Sequence, residues 1–316
     1  IQAYSKELIK QASKNHKIVA LDADLILDTG LIPFKEKFPD RFVECGIAEQ
    51  DMVSQAGGMA LKGLIPVVHS FACFLSARPN EQIYNNATEN TKIIYIGSLA
   101  GILPGGPGHS HQAVRDISSL SGIPNLKLIQ PSCEQEVSLA LKYCINNLKY
   151  SSYIRLCSIP IEIPFSLPKE YNVREGKGVT IAEGKDVIVF GYGPVLLTEL
   201  YKARSQLLKF GIKIKVVNLP WLNYVNSEWL KEQIKGFNFL FTIDDHYLNG
   251  GQGEMLLSKI SEQIDKSDFP KIFSRIGVDE IPRCGTNQEV LKYHNLDALS
   301  ISNRIKKTIS DFNNSF

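Results

Sequence analysis

The sequence predicts an α/β fold in two domains, each built on a mainly parallel sheet flanked by helices. Three observations predict it. Short β-branched apolar runs alternate with stretches of helical period, the rhythm of βα units feeding a parallel sheet. A proline-punctuated segment, with Pro160, Pro164 and Pro168 followed by Gly176 and Gly178, divides two such series. A length of 316 residues suffices for two cores. Together these place a first domain at 1–160, a linker at 161–182 and a second domain at 183–316.

In the first domain, strands are predicted at 17–21, 65–70, 92–97, 126–130 and 153–156, with helices at 4–14, 48–62 and 133–148. The strand runs are short and rich in Ile, Val, Leu and Tyr, as strands buried on both faces require. The third helix has a start signal: Pro131, then Ser132 as N-cap with Gln135 three residues on, a capping box. The prolines after it cannot continue a helix, so 161–182 reads as a crossover. In the second domain, strands are predicted at 187–190, 213–218, 239–243 and 272–275, and helices at 194–208, 226–235 and 254–263. No repeat of fixed period and no low-complexity tract is present.

Composition excludes several classes. Thirty-five Lys+Arg against 33 Asp+Glu leave a net charge of +2, with the signs interspersed, so nothing points to nucleic acid or an anionic membrane as partner. No run approaches the roughly 18 apolar residues of a membrane span, and no signal-peptide pattern opens the chain; a cytoplasmic location is expected. The six cysteines, Cys45, Cys73, Cys133, Cys144, Cys157 and Cys284, form no C-x-x-C pair. They read as reduced, mostly buried thiols rather than disulfides or zinc ligands.

Four segments could carry chemistry. From Phe42 a strand end runs through Gly46 into a helix whose first turn holds Glu49, where the helix dipole favours any carboxylate. After the strand at 65–70 come Phe71 and Phe74, three residues apart, which by spacing alone are two core aromatics on one helical face. The run from Gly101 to Gln112 is a glycine-rich loop containing His109 and His111; it permits close backbone approach by a ligand. No third metal ligand stands at a typical spacing from the two histidines, which suit proton transfer or hydroxyl and phosphate recognition better than zinc. Finally, Phe190-Gly-Tyr-Gly-Pro-Val-Leu resembles the start of a dinucleotide fingerprint. Leu196 replaces its third glycine and no ribose-binding acid follows, so nucleotide binding is not expected there.

In this order the segments resemble the C-terminal half of transketolases, a pyrimidine-binding domain followed by a transketolase C-terminal domain. Gly46-Ile-Ala-Glu-Gln is similar to a family signature. So are Ala20-Leu-Asp-Ala-Asp-Leu, Phe71-x-x-Phe-Leu-Ser-x-Arg, His111-Gln-x-Val, Asp244-Asp-His-Tyr-Leu-Asn-Gly-Gly-Gln-Gly and Ile276-Gly-Val-Asp-Glu-x-x-Arg-Cys-Gly. The resemblance covers essentially the whole chain. It implies thiamine diphosphate as cofactor and transfer of a two-carbon ketol unit from a ketose donor to an aldehyde or keto-sugar acceptor. Glu49 matches the carboxylate that shares a proton with the cofactor's pyrimidine, in an apolar pocket at a subunit interface. Phe71 and Phe74 match the aromatics that pack on that ring. His111 matches a loop histidine that contacts sugar hydroxyls near the reacting carbon. His109, Arg155 and Arg78 are further substrate candidates: Arg155 lies where the family places an arginine suited to an acceptor phosphate. Arg78 reads equally as a solvated or salt-bridged helix residue.

Thiamine enzymes hold Mg²⁺ and the diphosphate on a domain carrying Gly-Asp-Gly and a later asparagine, and this sequence contains no Gly-Asp-Gly. The resemblance therefore implies a beta-like subunit of a split transketolase, with a separate N-terminal-like subunit holding the Mg²⁺ in an α2β2 assembly. Family members read Glu-Asp-Gly-Pro-Thr-His-Gln where this chain has Gly106-Pro-Gly-His-Ser-His-Gln, and Leu99 stands where many have a phosphate-holding histidine. Those departures predict a less usual sugar substrate: unphosphorylated, sulfonated or nucleotide-linked. Three other readings share the two-domain plan: a deoxyxylulose-phosphate synthase-like C-terminal half, a 2-oxoacid dehydrogenase beta subunit, and a non-catalytic dimerising scaffold.

Overall fold

Apolar side chains on one face of α1 (Gln2–Lys14), among them Tyr4, Leu8 and Ala12, pack on β1 (Ile18–Asp22), whose five residues are all buried. The protein is described here from a computed structural model covering residues 1–265 and 268–315. After β1 come α2 (Ile26–Thr29), α3 (Ile32–Lys37) and β2 (Phe42–Glu44). Next are α4 (Glu49–Leu61), β3 (Ile65–Phe71), α5 (Ala72–Ala77), α6 (Asn80–Thr88) and β4 (Ile94–Ser98). The first domain closes with α7 (Asp116–Ser121), β5 (Lys127–Ile129), α8 (Glu134–Asn146) and β6 (Ser152–Arg155). Its six strands form one parallel sheet in the order β2-β1-β3-β4-β6-β5. Helices on both faces leave the central strands no solvent side, which is why they read as continuous apolar runs.

The second domain begins with β7 (Val179–Ala182), followed by β8 (Val187–Gly191), α9 (Pro194–Leu208), β9 (Ile214–Asn218) and α10 (Ser227–Ile234). It continues through β10 (Phe239–Tyr247), α11 (Gln252–Gln263), β11 (Ile272–Val278), α12 (Asn287–Tyr293) and α13 (Ala298–Asn313). The sheet order is β11-β10-β8-β9-β7, parallel except for β7, which runs antiparallel to β9. The expected architecture, two mainly parallel sheets flanked by helices, is the one observed.

Two local expectations are corrected. The last four residues of the expected linker 161–182 are strand β7, because Val179 and Thr180 pair with Asn218 and Val217 at the open edge of β9. The expected capping box at Ser132 is not formed: Cys133 is the N-cap of α8, and the Ser132 hydroxyl and N–H instead donate to the buried Glu136 carboxylate at 2.6 and 2.7 Å. Glu136 also accepts from Asn218 of the second domain at 2.9 and 3.0 Å, so the local cap gives way to an interdomain contact. Of the six cysteines, all free, Cys144 is buried and Cys284 exposed, with the other four between these extremes.

The domains share their cores. The edge strand β5 is covered by the second domain, where Gln130 N–H donates to Pro220 C=O at 2.8 Å and Leu222 N–H to Leu128 C=O at 2.9 Å. Trp221, fully buried, sits at that join. Covering a sheet edge this way removes a row of unpaired backbone groups from solvent. Among the described residues, no helix is long and apolar enough to cross a membrane.

Candidate active site

The site forms at the C-terminal ends of the first sheet's strands, where open parallel sheets place their ligands. Gly46, at φ +68°, turns the chain after β2 and delivers Glu49 to the first turn of α4. The Glu49 carboxylate is only 3% exposed. Its Oε1 accepts from the Ser70 hydroxyl at 3.1 Å and from Arg78 Nη1 at 2.6 Å. Phe71 is the last residue of β3 rather than a helical one, and Phe74 lies in the first turn of α5. Their ring centroids are 5.8 Å apart. The glycine loop after β4 brings His111 against both, 6.0 Å from Phe71 and 5.2 Å edge-on to Phe74. The Ser110 hydroxyl lies 2.9 Å from His111 Nδ1, which leaves Nε2 as the ring nitrogen for a ligand.

Thus five of the residues singled out from the sequence, Glu49, Phe71, Phe74, Arg78 and His111, come together in one cluster. His109 is exposed on the same loop. Arg78 is resolved as a salt-bridged residue: besides its pair with Glu49, its guanidinium lies 3.8 Å from the centre of the Phe74 ring. A planar group with N–H donors thereby stacks on an aromatic face while donating to Glu49. That is the combination an aminopyrimidine needs, so the residues present fit the pyrimidine end of thiamine diphosphate. Burial pushes the thiols of Cys45 and Cys73 up to about 11, so neither is a thiolate nucleophile at neutral pH. Among the described residues, no cluster of three or more His, Cys, Asp or Glu is placed to hold a metal ion.

Arg155 does not face a substrate. It is fully buried at the end of β6, and its five N–H donors are all engaged. Nε and Nη2 grip the two oxygens of Asp116 at 2.8 and 3.1 Å, and Nη2 also donates to Ala113 C=O at 3.1 Å. Nη1 donates to Gln130 Oε1 and to Asp245 Oδ1 of the second domain, the latter at 2.9 Å. The expected role as an acceptor-phosphate ligand is replaced by that of an interdomain tie, because no donor is left to offer.

The loop carrying both histidines is held from the second domain. Asn287 Oδ1 accepts from Gly105 N–H at 3.0 Å, and Gly285 N–H donates to Gly105 C=O at 3.3 Å. Gln112 Nε2 donates to Arg283 C=O at 3.0 Å and Ile102 C=O at 2.9 Å. Gly101 has a positive φ of +86°, and a Cβ there would strike the Asp245 carboxylate. Sequence reasoning missed these holders, and it missed Ser70. Ser70 had one available signal: it directly precedes Phe71 at the end of a buried strand. The Gly193 element singled out as fingerprint-like is explained by packing, since a Cβ on Gly193 would meet the Gln130 side chain across the domain border.

Fold and site define a two-domain α/β protein with a carboxylate, aromatic and histidine constellation at the mouth of a parallel sheet. The model of the transketolase pyrimidine binding domain matches residues 1–158, and that of the transketolase C-terminal domain matches residues 176–301. The chain belongs to the transketolase family. A "putative transketolase C-terminal section" of Methanocaldococcus jannaschii is 32% identical over 306 residues, covering 96% of this chain and 94% of the relative. The 1-deoxy-D-xylulose-5-phosphate synthase of Clostridium acetobutylicum is 29% identical over 304 residues, 96% of this chain but 48% of the relative. The chain thus spans about half the length of several relatives it matches. Among solved structures, a split-gene transketolase described as an inactive beta4 tetramer superposes with a TM-score of 0.86 at 28% identity, covering 98% of this chain and 97% of that one. The Campylobacter jejuni transketolase shares the fold at a TM-score of 0.80 and 17% identity, over 97% of this chain and 46% of that one.

Proposed function

We propose that this chain is the pyrimidine-binding, beta-like subunit of a split, thiamine diphosphate-dependent transketolase, completed by a separate subunit that holds Mg²⁺ and the diphosphate. The observation that carries the reading is the buried Glu49 carboxylate beside Phe71, Phe74 and His111. Two findings support the split: a relative of nearly the same length is called a C-terminal section, and the split-gene transketolase superposes over nearly its whole length. Thiamine diphosphate, when bound, supplies the nucleophile that takes up a two-carbon ketol unit. This chain's residues prepare that event. Glu49 would hold a proton at Oε2 toward the pyrimidine, with Ser70 and Arg78 keeping the carboxylate in place through Oε1. Phe71 and Phe74 would wall the ring and exclude water. His111, through Nε2, would orient a sugar hydroxyl and relay its proton, with His109 as a further substrate contact from the exposed side of the loop.

The purified chain, given thiamine diphosphate, Mg²⁺ and a ketose donor, should show no turnover alone. Mixed with a subunit bearing Gly-Asp-Gly and the later asparagine, it should transfer ketol units, and Glu49→Ala should abolish that activity. Turnover by the chain alone, or a fully active Glu49→Ala complex, would refute the reading; the latter would leave a dimerising scaffold. Pro107, where the family run has its Asp, and Leu99, where many members have a phosphate-holding histidine, favour a substrate other than a pentose phosphate. A high specificity constant for xylulose 5-phosphate would overturn that part. The similarity to 1-deoxy-D-xylulose-5-phosphate synthases supports a second reading, in which the donor is a 2-oxoacid and CO₂ is released. Release of labelled CO₂ from a 2-oxoacid distinguishes the two.

A further inference from the structure

Between the edge strand β11 and helix α13 lies a cavity of about 430 Å³ that shares no residue with the Glu49 constellation. Its lining is cationic. Arg275 from β11 and Arg304 and Lys307 from α13 line it together with one carboxylate, Asp279. On α13 the lining positions Ser300, Asn303, Arg304 and Lys307 recur at i, i+3, i+4 and i+7, so one helix face carries a hydroxyl, an amide and two cations into the same hollow. Among the described residues, Arg304 and Lys307 are exposed and have no carboxylate partner. Arg275 is held in place by donating Nη1 to Leu248 C=O at 2.9 Å, and Glu254 stands 3.9 Å away. With Glu254 beside Arg275 and Asp279 in the lining, Arg304 and Lys307 are, among the described residues, the two cations left unpaired in this concave surface, and they concentrate anions.

A second observation concerns His294, which forms part of the wall and is 3% exposed. Its Nε2 accepts from Arg283 N–H at 3.2 Å, which puts the ring hydrogen on Nδ1. That Nδ1 is buried and has no acceptor among the described residues. Buried donors are nearly always paired, so His294 is an exception in this wall.

We propose that this cavity binds a phosphorylated small molecule. A phosphate monoester is dianionic, and its tetrahedral oxygens can accept from a guanidinium fork, an ammonium, a hydroxyl and an amide together. Leu248 and Ile276 provide a short apolar wall for the organic body. The inference does not depend on the reaction proposed above, and the isolated chain suffices to test it.

The test is calorimetric titration of the purified chain at fixed ionic strength with inorganic phosphate, glucose 6-phosphate and unphosphorylated glucose. Both phosphates should bind and glucose should not. Tighter binding of glucose 6-phosphate identifies an ester as the ligand type; equal binding identifies free phosphate, and either supports the site. The double variant Arg304→Glu/Lys307→Glu should weaken phosphate binding by about tenfold or more. Lys14→Glu/Lys142→Glu, the same charge change on exposed positions of the first domain, should leave it nearly unchanged. Circular dichroism checks that both variants keep their fold, as exposed substitutions should. No phosphate binding by the wild type, or equal weakening in the two double variants, overturns the proposal.

Discussion

Asp22 ends β1 with its carboxylate buried, accepting from Leu25 N–H at 2.6 Å and from the Thr29 hydroxyl at 2.8 Å. Burial pushes this carboxyl from its ordinary 3.8 up to about 6, against the pull of those hydrogen bonds, and the charges of Glu44 and Asp24 add to the rise. A carboxyl that keeps its proton longer in the folded chain makes stability fall as pH rises from 3.8 to about 6. His69, in register with Asp22 on the adjacent β3, does the reverse. Burial lowers it from 6.5 to about 4, so the stability it contributes is complete above 6.5 and is lost as pH falls toward 4. The two slopes oppose each other over nearly one window. Asp22→Asn should therefore uncover the histidine's: its melting temperature, followed against pH, should climb more steeply than wild type between about 4 and about 6.5. A parallel pair of curves would show that Asp22 titrates at its ordinary value. Neither group's state could be read from sequence, since both depend on depth beneath helices placed by distant residues. The position of Glu49 in the first turn of α4 was legible because Gly46, which turns the chain ahead of it, is close in sequence. Arg155 was misread for the opposite reason: its acids, Asp116 and Asp245, lie 39 and 90 residues away in the chain.

At the level of elements, the glycine loop after β4 shows what periodicity reveals and what it hides. Its glycines and histidines announce a ligand-approaching turn, but the groups that fix its course come from 283–287, far along the chain. Asn287→Ala should cost about 1 kcal/mol, the ordinary worth of one hydrogen bond. It should also speed amide exchange at Gly105 more than at residues of β4, measured by hydrogen–deuterium exchange. Unchanged exchange at Gly105 would mean the loop holds its shape unaided. The strands were legible as dense apolar runs, and α9 as a long amphipathic one. Helix α13 was not read, although its buried residues Ala298, Ile301, Ser302 and Ile305 recur at helical spacing. Strand β7 was hidden, being an edge strand only partly buried and placed directly after a proline-rich crossover.

On the scale of the whole molecule, the domains are joined by buried charge as well as by apolar packing. Tyr153 donates to Asp116 at 2.8 Å beside Arg155, and Tyr192 donates to Asp244 at 3.0 Å next to Asp245. Burial and the neighbouring carboxylates push both phenols well above their usual value, so they remain donors. Arg155→Met would leave Asp116 and Asp245 without their cation, a loss of about 3–5 kcal/mol. Denaturant unfolding followed by far-UV and tryptophan signals should show one cooperative transition in the wild type at a clearly higher midpoint than in the variant. Two separate wild-type transitions would show that the domains are energetically independent.

The clamp on the histidine loop has a further consequence. His111 stands over Phe74 in a place dictated by backbone at 283 and 285 and by the Asn287 side chain, in a domain that none of Glu49's hydrogen bonds reaches. The second domain therefore acts as a mould for the first, and substitutions in it would be felt as changes in chemistry. Exchanging C-terminal domains between relatives would carry the donor's loop shape along with it, so a recombined protein would inherit its histidine geometry from the half that contributes no side chain to the carboxylate.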